Sequence, residues 1–340
     1  MAKDNQTESE ELIEVFKKLE PRLNKVYVGA TLKNAIVMQN NRYIRLLYQD
    51  FSAYQLPVEF LIRDNFHEVI WRRMKGEKSI VHHHWLQFDN NYSLKPLAKV
   101  FLGLFIFRML GGTIVWTLHN KLPHDNPYPQ TNTRVRKWFA KISTHLHVHC
   151  TQAREEMSQF LKVSQNKFFV VKHPNYPVTT QSQEESWTKI RQRYADHFDN
   201  EVWHQPGTTY LMFGQIKPYK GIAEVVDLFL AHSESNKRLL VVGRIKDEAY
   251  VDKVRDKVSD AANVILIPQF IADEDTPLFY GISEYVIFNY TSILTSGGAI
   301  EALNYRKKII APRKGCLTDL VGENIIHFDT LSELKNILFS

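Results

Sequence analysis

Short runs rich in valine and isoleucine recur along the chain between longer stretches of helical periodicity. That alternation constrains the fold more than any other feature. The runs lie at 79–81, 113–117, 146–149, 168–171, 210–213, 238–242, 263–267, 285–288 and 308–311. Each is too short for a helix of ordinary length and has the residue types that fill buried strands. Strands separated by helices join as right-handed βαβ units, so the expected architecture is α/β with parallel sheets. A chain of 340 residues exceeds one typical domain and fits two, each burying its own core.

Between 178 and 206 the sequence turns polar and charged, following Pro174 and Pro177. The junction is expected there. An N-terminal domain would cover 1–177, a linker region 178–205 and a C-terminal domain 206–340, two Rossmann-like halves facing each other across a cleft. In such sheets ligands gather where the strand C-termini open.

Two segments of the C-terminal half are candidate anion sites. The first, Phe213-Gly214-Gln215-Ile216-Lys217-Pro218-Tyr219-Lys220-Gly221, follows a strand and leads into an amphipathic run. Gly214 lets backbone approach a ligand closely, and Lys217 and Lys220 can neutralise a diphosphate beside exposed helix N–H groups. An ordinary strand–turn–helix with solvated lysines explains the spacing equally well. The second, Thr295-Ser296-Gly297-Gly298, would open a helix whose positive end faces an anion, with Glu301 about one turn inside to accept from a ribose diol. Taken alone, simple capping by Thr295 or Ser296 is the better account of it.

Together the two segments resemble, in order and spacing, the donor domain of GT-B-fold glycosyltransferases related to bacterial mannosyl- and glucosyltransferases. Gln215 and Lys220 stand where that family has its G-R-x-x-x-x-K pair on the donor diphosphate, and Glu301 stands at the second glutamate of its E-x7-E motif. Gln215 replaces the usual arginine and Ile293 the first glutamate. In the first half, Val115-Trp116-Thr117-Leu118-His119-Asn120-Lys121-Leu122-Pro123-His124-Asp125 resembles the W-T-x-H-N-x-x-P-H segment of exopolysaccharide glycosyltransferases, including the β-1,4-mannosyltransferase type. The segments from Asn41 to Tyr48 and from Ile80 to Trp85 resemble the acceptor domain of the same enzymes, so the similarity runs from about 34 to 312.

The resemblance implies a hexosyltransferase in polysaccharide biosynthesis. Its donor would be GDP-mannose or a UDP-sugar, bound as substrate by Gly214, Gln215, Lys217, Lys220, Ser296, Gly297, Gly298 and Glu301. A glycan or lipid-linked saccharide would be the acceptor. Lysines and helix dipoles would support the departing diphosphate, so no metal or other cofactor is expected. His119 ends a strand run in a loop, where functional side chains of open sheets cluster. With His124 and Asp125 it is a candidate base on the acceptor hydroxyl. The departures at Gln215 and Ile293 suggest a second reading, an inactive nucleotide-sugar-binding or scaffold subunit.

Charge and the remaining features narrow the partners. A net charge of +6 favours anionic partners, but it is dispersed and no nucleic-acid-reading motif accompanies it, so none is expected to bind. Fourteen histidines, including His82-His83-His84 and the alternating His145, His147 and His149, raise a metal site. Neighbouring strand residues point to opposite faces, however, and no HExxH-like set completes the ligands. The two cysteines are far apart and form no CxxC pair, which suggests neither a disulfide framework nor a zinc site. The start of the chain lacks the basic stub and apolar core of a signal peptide, so a cytoplasmic protein is expected, with peripheral contact at the inner face of the cell membrane left open. The apolar stretch 97–110 is interrupted by Lys99 and Arg108 and is too short to span a bilayer. A buried Rossmann helix is the better expectation for it than a helix resting in lipid.

Overall fold

The computed structural model describes residues 6–30, 38–61, 66–86, 88, 94–123 and 126–340. The chain divides into two units, Met1–Asn175 and Tyr176–Ser340. Within the segment read as a junction, residues 183–193, 195–197 and 201–204 are helical, and Ile190, Tyr194, Phe198 and Trp203 are buried in the core of the second unit.

The first unit carries strands β1 (Lys25–Ala30), β2 (Val58–Phe60), β3 (Ser79–His84), β4 (Thr113–Thr117), β5 (His145–Val148) and β6 (Phe168–Val170). They pair in parallel in the order β2-β1-β3-β4-β5-β6. The second unit carries β7 (Thr208–Phe213), β8 (Lys237–Val242), β9 (Val264–Ile267), β10 (Tyr285–Ile287), β11 (Lys308–Pro312) and β12 (Ile325–Phe328). Their order is β12-β11-β10-β7-β8-β9, again all parallel. Each unit is thus a doubly wound α/β sheet. In the second, the order reverses between β7 and β10, the place where such sheets open a ligand crevice.

A sheet covered on both faces needs apolar residues at every position, and the second unit's strands supply them. Leu211, Leu240, Val242, Ile265 and Val286 join one core cluster, while Tyr210, Met212, Leu239, Val241 and Ile287 join the other.

The helix Leu94–Met109 departs from the expectation of burial. Leu97, Val100, Leu104 and Phe107 are buried, but Leu102 is 60% exposed, Phe105 52% and Met109 72%. It is mostly apolar apart from Lys95, Lys99 and Arg108, and among the described elements it packs on the helices Phe66–Met74 and Pro129–Ile142 and on strand β4. Those neighbouring helices expose Trp71, Met74 and Trp138. No helix among the described residues is long and apolar enough to cross a membrane.

Candidate functional site

In the second unit the chain leaves β7 at Gly214, whose φ of 102° is a backbone state that side chains disfavour. Two further constraints act on this turn. A methyl on Gly214 would lie 3.0 Å from the Lys220 Nζ, and one on Gly243, at the end of β8, would lie 1.7 Å from the Gly214 carbonyl oxygen. Glycine is required at both positions to bring the ends of β7 and β8 together.

The turn then rejoins the sheet. Ile216 donates its N–H to the Arg244 carbonyl at 3.0 Å, and residues Pro218–Lys220 form one 3-10 turn that Gly221 closes in the left-handed region. Lys220 Nζ donates to the Phe213 carbonyl at 3.0 Å. Burial lowers its pKa to about 8 from 10.5, because an ammonium loses hydration there without gaining a carboxylate.

The loop after β10 is stitched to this turn. Asn289 Nδ2 donates to the Gly221 carbonyl at 2.9 Å, and Thr291 N–H donates to the Tyr219 carbonyl at 2.8 Å. The rings of Tyr219 and Tyr290 stack at 5.7 Å. A small pocket results, lined by Gly214, Lys220, Phe288, Asn289 and Tyr290 among others. Lys314 adds a second cation at the loop, with Nζ 3.1 Å from the Tyr290 carbonyl and 3.2 Å from that of Thr291.

Tyr290 also links this pocket to the second predicted segment, since its hydroxyl lies 3.2 Å from Ser296 Oγ. Ser296 is the N-cap of the helix Gly297–Asn304 and accepts the Ala299 N–H at 3.2 Å. Capping therefore uses one of the orphan donors of the first turn. Among the described residues no hydrogen bond takes the N–H groups of Gly297 and Gly298. A methyl on Gly298 would meet Phe288 only at an ordinary 3.6 Å, so the fold itself leaves room there.

Of the predicted donor residues, Gly214, Lys220, Ser296 and Gly298 are thus brought together around Phe288 and Tyr290. Gln215 is exposed, Lys217 is buried and Glu301 is partly buried one turn into its helix. Gly243, Asn289, Tyr290 and Lys314 were not singled out from the sequence. Gly243 could have been, since it follows a strand as Gly214 does. The chain does contain one Asp-x-Asp triplet, Asp273-Glu274-Asp275, the motif on which metal-dependent glycosyl transfer can rest. Asp275 is tied to Arg193 and accepts from the Tyr194 hydroxyl at 2.8 Å, a structural fastening.

In the first unit, His119 follows β4 and stacks on Trp85 with ring centres 4.6 Å apart. Trp85 itself has a φ of 37°, a strained state that concentrates at functional sites. Tyr43 meets the His119 ring edge-on at 4.9 Å. A small pocket lies beside them, lined by Trp85, Trp116, His119, Asn120, Pro123 and Arg136. Arg136 braces it from below by donating to the carbonyls of Leu86, at 2.8 Å, and Asn120. His124 and Asp125, the other catalytic candidates, lie outside the described residues.

Behind His119 lies a set of buried imidazoles. His82 and His84 point to one face of β3 and His83 to the other, against Phe139. His82, His84, His147, His149 and His173 are bound through hydroxyls and carbonyls rather than carboxylates. Desolvation lowers their pKa values, to about 4 for His147 and His173 and well below the usual range for His82, His84 and His149. They are neutral at physiological pH.

No protein-family model matches the sequence, and no curated protein matches it. Solved structures do match. Anabaena HepE, in complex with UDP and glucose, aligns at a TM-score of 0.62 and 15% identity over 93% of this chain and 89% of its own. A glycosyltransferase from Rickettsia africae aligns at 0.61 and 13% identity, covering 93% and 87%. The catalytic domain of starch synthase IV from Arabidopsis thaliana, bound to ADP and acarbose, aligns at 0.61 and 13% identity, covering 93% and 90%. The chain has the two-domain α/β fold of these GT-B glycosyltransferases.

Proposed function

We propose that this chain is a glycosyltransferase that moves a hexose from a nucleotide-diphosphate sugar to a glycan or lipid-linked saccharide. The observation that carries the reading is the stitched pocket at the β7/β10 reversal, lined by Lys220 and joined through Tyr290 to the helix start at Ser296, whose Gly297 and Gly298 amides have no hydrogen bond among the described residues. Departure of a nucleoside diphosphate builds negative charge, and donors already aimed at that charge lower the barrier. Lys220 and those amides take that role, Gly214 and Gly298 let backbone approach the phosphates, and Glu301 takes the ribose. His119 acts on the acceptor hydroxyl, with His124 and Asp125 as further candidates for the base.

UDP and ADP, the nucleotides named with the similar structures, support a nucleoside diphosphate. GDP-mannose or a UDP-sugar is our proposed donor and polysaccharide biosynthesis the setting. We further propose that the exposed face of helix Leu94–Met109 rests on an anionic membrane surface from the cytoplasmic side. The exposed Leu102, Phe105, Met109 and Trp138, flanked by the exposed Lys95 and Lys141, have the pairing of apolar and basic residues that interfacial helices use.

Titration with GDP, UDP, ADP and their sugars, read as a shift in melting temperature, tests the donor site. Saturable stabilisation by one nucleotide series is expected, followed by transfer to an acceptor panel. No stabilisation by any of them at millimolar concentration would end the proposal. Binding without turnover across the panel would favour the inactive subunit.

A further inference from the structure

The first unit holds one unbroken hydrogen-bond chain from the Val171 carbonyl to His119, and that carbonyl decides where every proton in it sits. A carbonyl only accepts, so His147 Nε2, 3.0 Å away, must carry a hydrogen. A neutral imidazole has one such hydrogen. His147 Nδ1 therefore accepts from the Thr117 hydroxyl, 2.8 Å away, and Thr117 Oγ1 accepts in turn from His82 Nε2 at 2.6 Å. His82 Nδ1 must then accept from the Tyr48 hydroxyl at 2.5 Å, and the Tyr48 oxygen accepts from His84 Nε2 at 2.9 Å. The remaining nitrogen, His84 Nδ1, lies 3.1 Å from His119 Nε2 and can only accept from it.

We infer that this chain locks His119 in the tautomer with its hydrogen on Nε2, so that Nδ1 is the ring's basic nitrogen. His84, Tyr48, His82, Thr117 and His147 are its positioning residues. The inference rests on the reading of His119 as the group that acts on the acceptor hydroxyl, for which a lone pair at a fixed atom is what matters.

Four features support the lock. The chain ends on a carbonyl, which takes up no proton from an imidazole, so a charge delivered along it has nowhere to go. Its donors all point the same way, which strengthens each bond through the next. The anchor is also full: His149 Nδ1 donates to the same Val171 oxygen at 2.9 Å, while the Tyr43 hydroxyl meets His149 Nε2 at 3.1 Å. Stacking on Trp85 at an interplanar angle of 13° resists rotation of the His119 ring out of line.

Nitrogen-15 spectra of the histidine side chains in the full chain, recorded without substrate, test this directly. His119 is assigned by the signals lost in His119→Gln. The expected pattern is a single tautomer, with Nδ1 unprotonated and Nε2 protonated. Thr117→Val removes the middle hydroxyl and should replace that pattern with a mixture of both tautomers, and Thr117→Ser should restore it. Tyr48→Phe breaks the chain at a second point and should give the same mixture, so the test stands if one variant fails to fold. In activity, Thr117→Val should lower kcat roughly tenfold at little changed KM, the size of one lost hydrogen bond, with rescue by Thr117→Ser.

A hydrogen on His119 Nδ1 in the wild-type protein would overturn the inference. So would a folded Thr117→Val or Tyr48→Phe protein that keeps the single Nε2 tautomer. Because the spectra need no turnover, they are separate from the catalytic reading, which fails instead if His119→Gln retains full kcat.

Discussion

The Gly214 carbonyl oxygen sits where the first side-chain carbon of any other residue at 243 would have to be, 1.7 Å from it. Two glycines at neighbouring strand ends thus hold each other's backbone in place, and the lysine that meets the Phe213 carbonyl depends on both. Gly243→Ala should cost about 3 kcal/mol of stability through overpacking and backbone strain, read as a lower urea midpoint. It should also weaken nucleotide binding. A midpoint unchanged from wild type would contradict this account of the turn.

Gly298→Ala separates fold from ligand. The fold leaves ordinary space for the methyl, and alanine is the better helix former by about 1 kcal/mol. The variant should therefore be as stable as wild type or more so, yet bind nucleoside diphosphates more weakly, because a phosphate needs the bare amide. Calorimetric titration and thermal melting of the same sample give both answers. Unchanged affinity would remove this helix start from the donor site.

Lys220 is cationic at neutral pH but loses its proton near pH 8, well below an ordinary lysine. A bound diphosphate favours the charged form, so affinity should fall as pH rises through 8 and should be steady below it. Lys220→Met should bind roughly 10- to 100-fold more weakly, the worth of a hydrogen bond to a charged group, and should lack the break near pH 8. A wild-type profile flat to pH 9.5 would rule out the ammonium as a phosphate contact.

The buried imidazoles predict acid sensitivity. In the folded chain burial lowers the pKa values of His82, His83, His84, His147, His149 and His173 below the ordinary 6.5. The unfolded chain takes up protons below about pH 6.5 that the folded chain refuses until about pH 4 or lower. Stability is therefore undiminished above that range and is lost as pH falls through it, by up to about 1.4 kcal/mol per pH unit for each group. Urea midpoints measured between pH 7.5 and 5 should drop steeply, and a flat series would show that these rings are hydrated.

Phe105→Ser combined with Met109→Ser should leave the melting temperature within about 2 °C, since exposed substitutions change stability little. The pair should lose co-sedimentation with vesicles containing anionic lipid. Equal binding by the variant would mean that this face is not the one that meets lipid.

Nine strand positions were legible from short β-branched runs, because a strand buried on both faces needs nothing else. The three that were not are β1, which opens with Lys25 and Tyr27, β2, which is three residues long, and β12, which includes His327. The positions of Gly214, Lys220 and Ser296 were legible for a related reason: each lies within a few residues of a strand or helix end. Gly243 was not, since its requirement comes from the backbone of another strand. Nor was the histidine chain, in which Tyr48 reaches His82 from 34 positions away. Polarity along that chain is a property of the folded network, and no local pattern encodes it.

All the strands of each sheet run the same way, which separates the two rims of the sheet by task. The loops leaving β7, β8 and β10 hold Gly214, Lys220, Gly243, Asn289 and Tyr290, whereas the turns entering strands lie on the opposite rim. The turn at 232–236, with Ser233, Glu234 and Asn236 exposed, is on the second rim. A fluorophore, affinity tag or short insertion placed there should leave nucleotide binding intact, which makes it a handle for immobilising the protein.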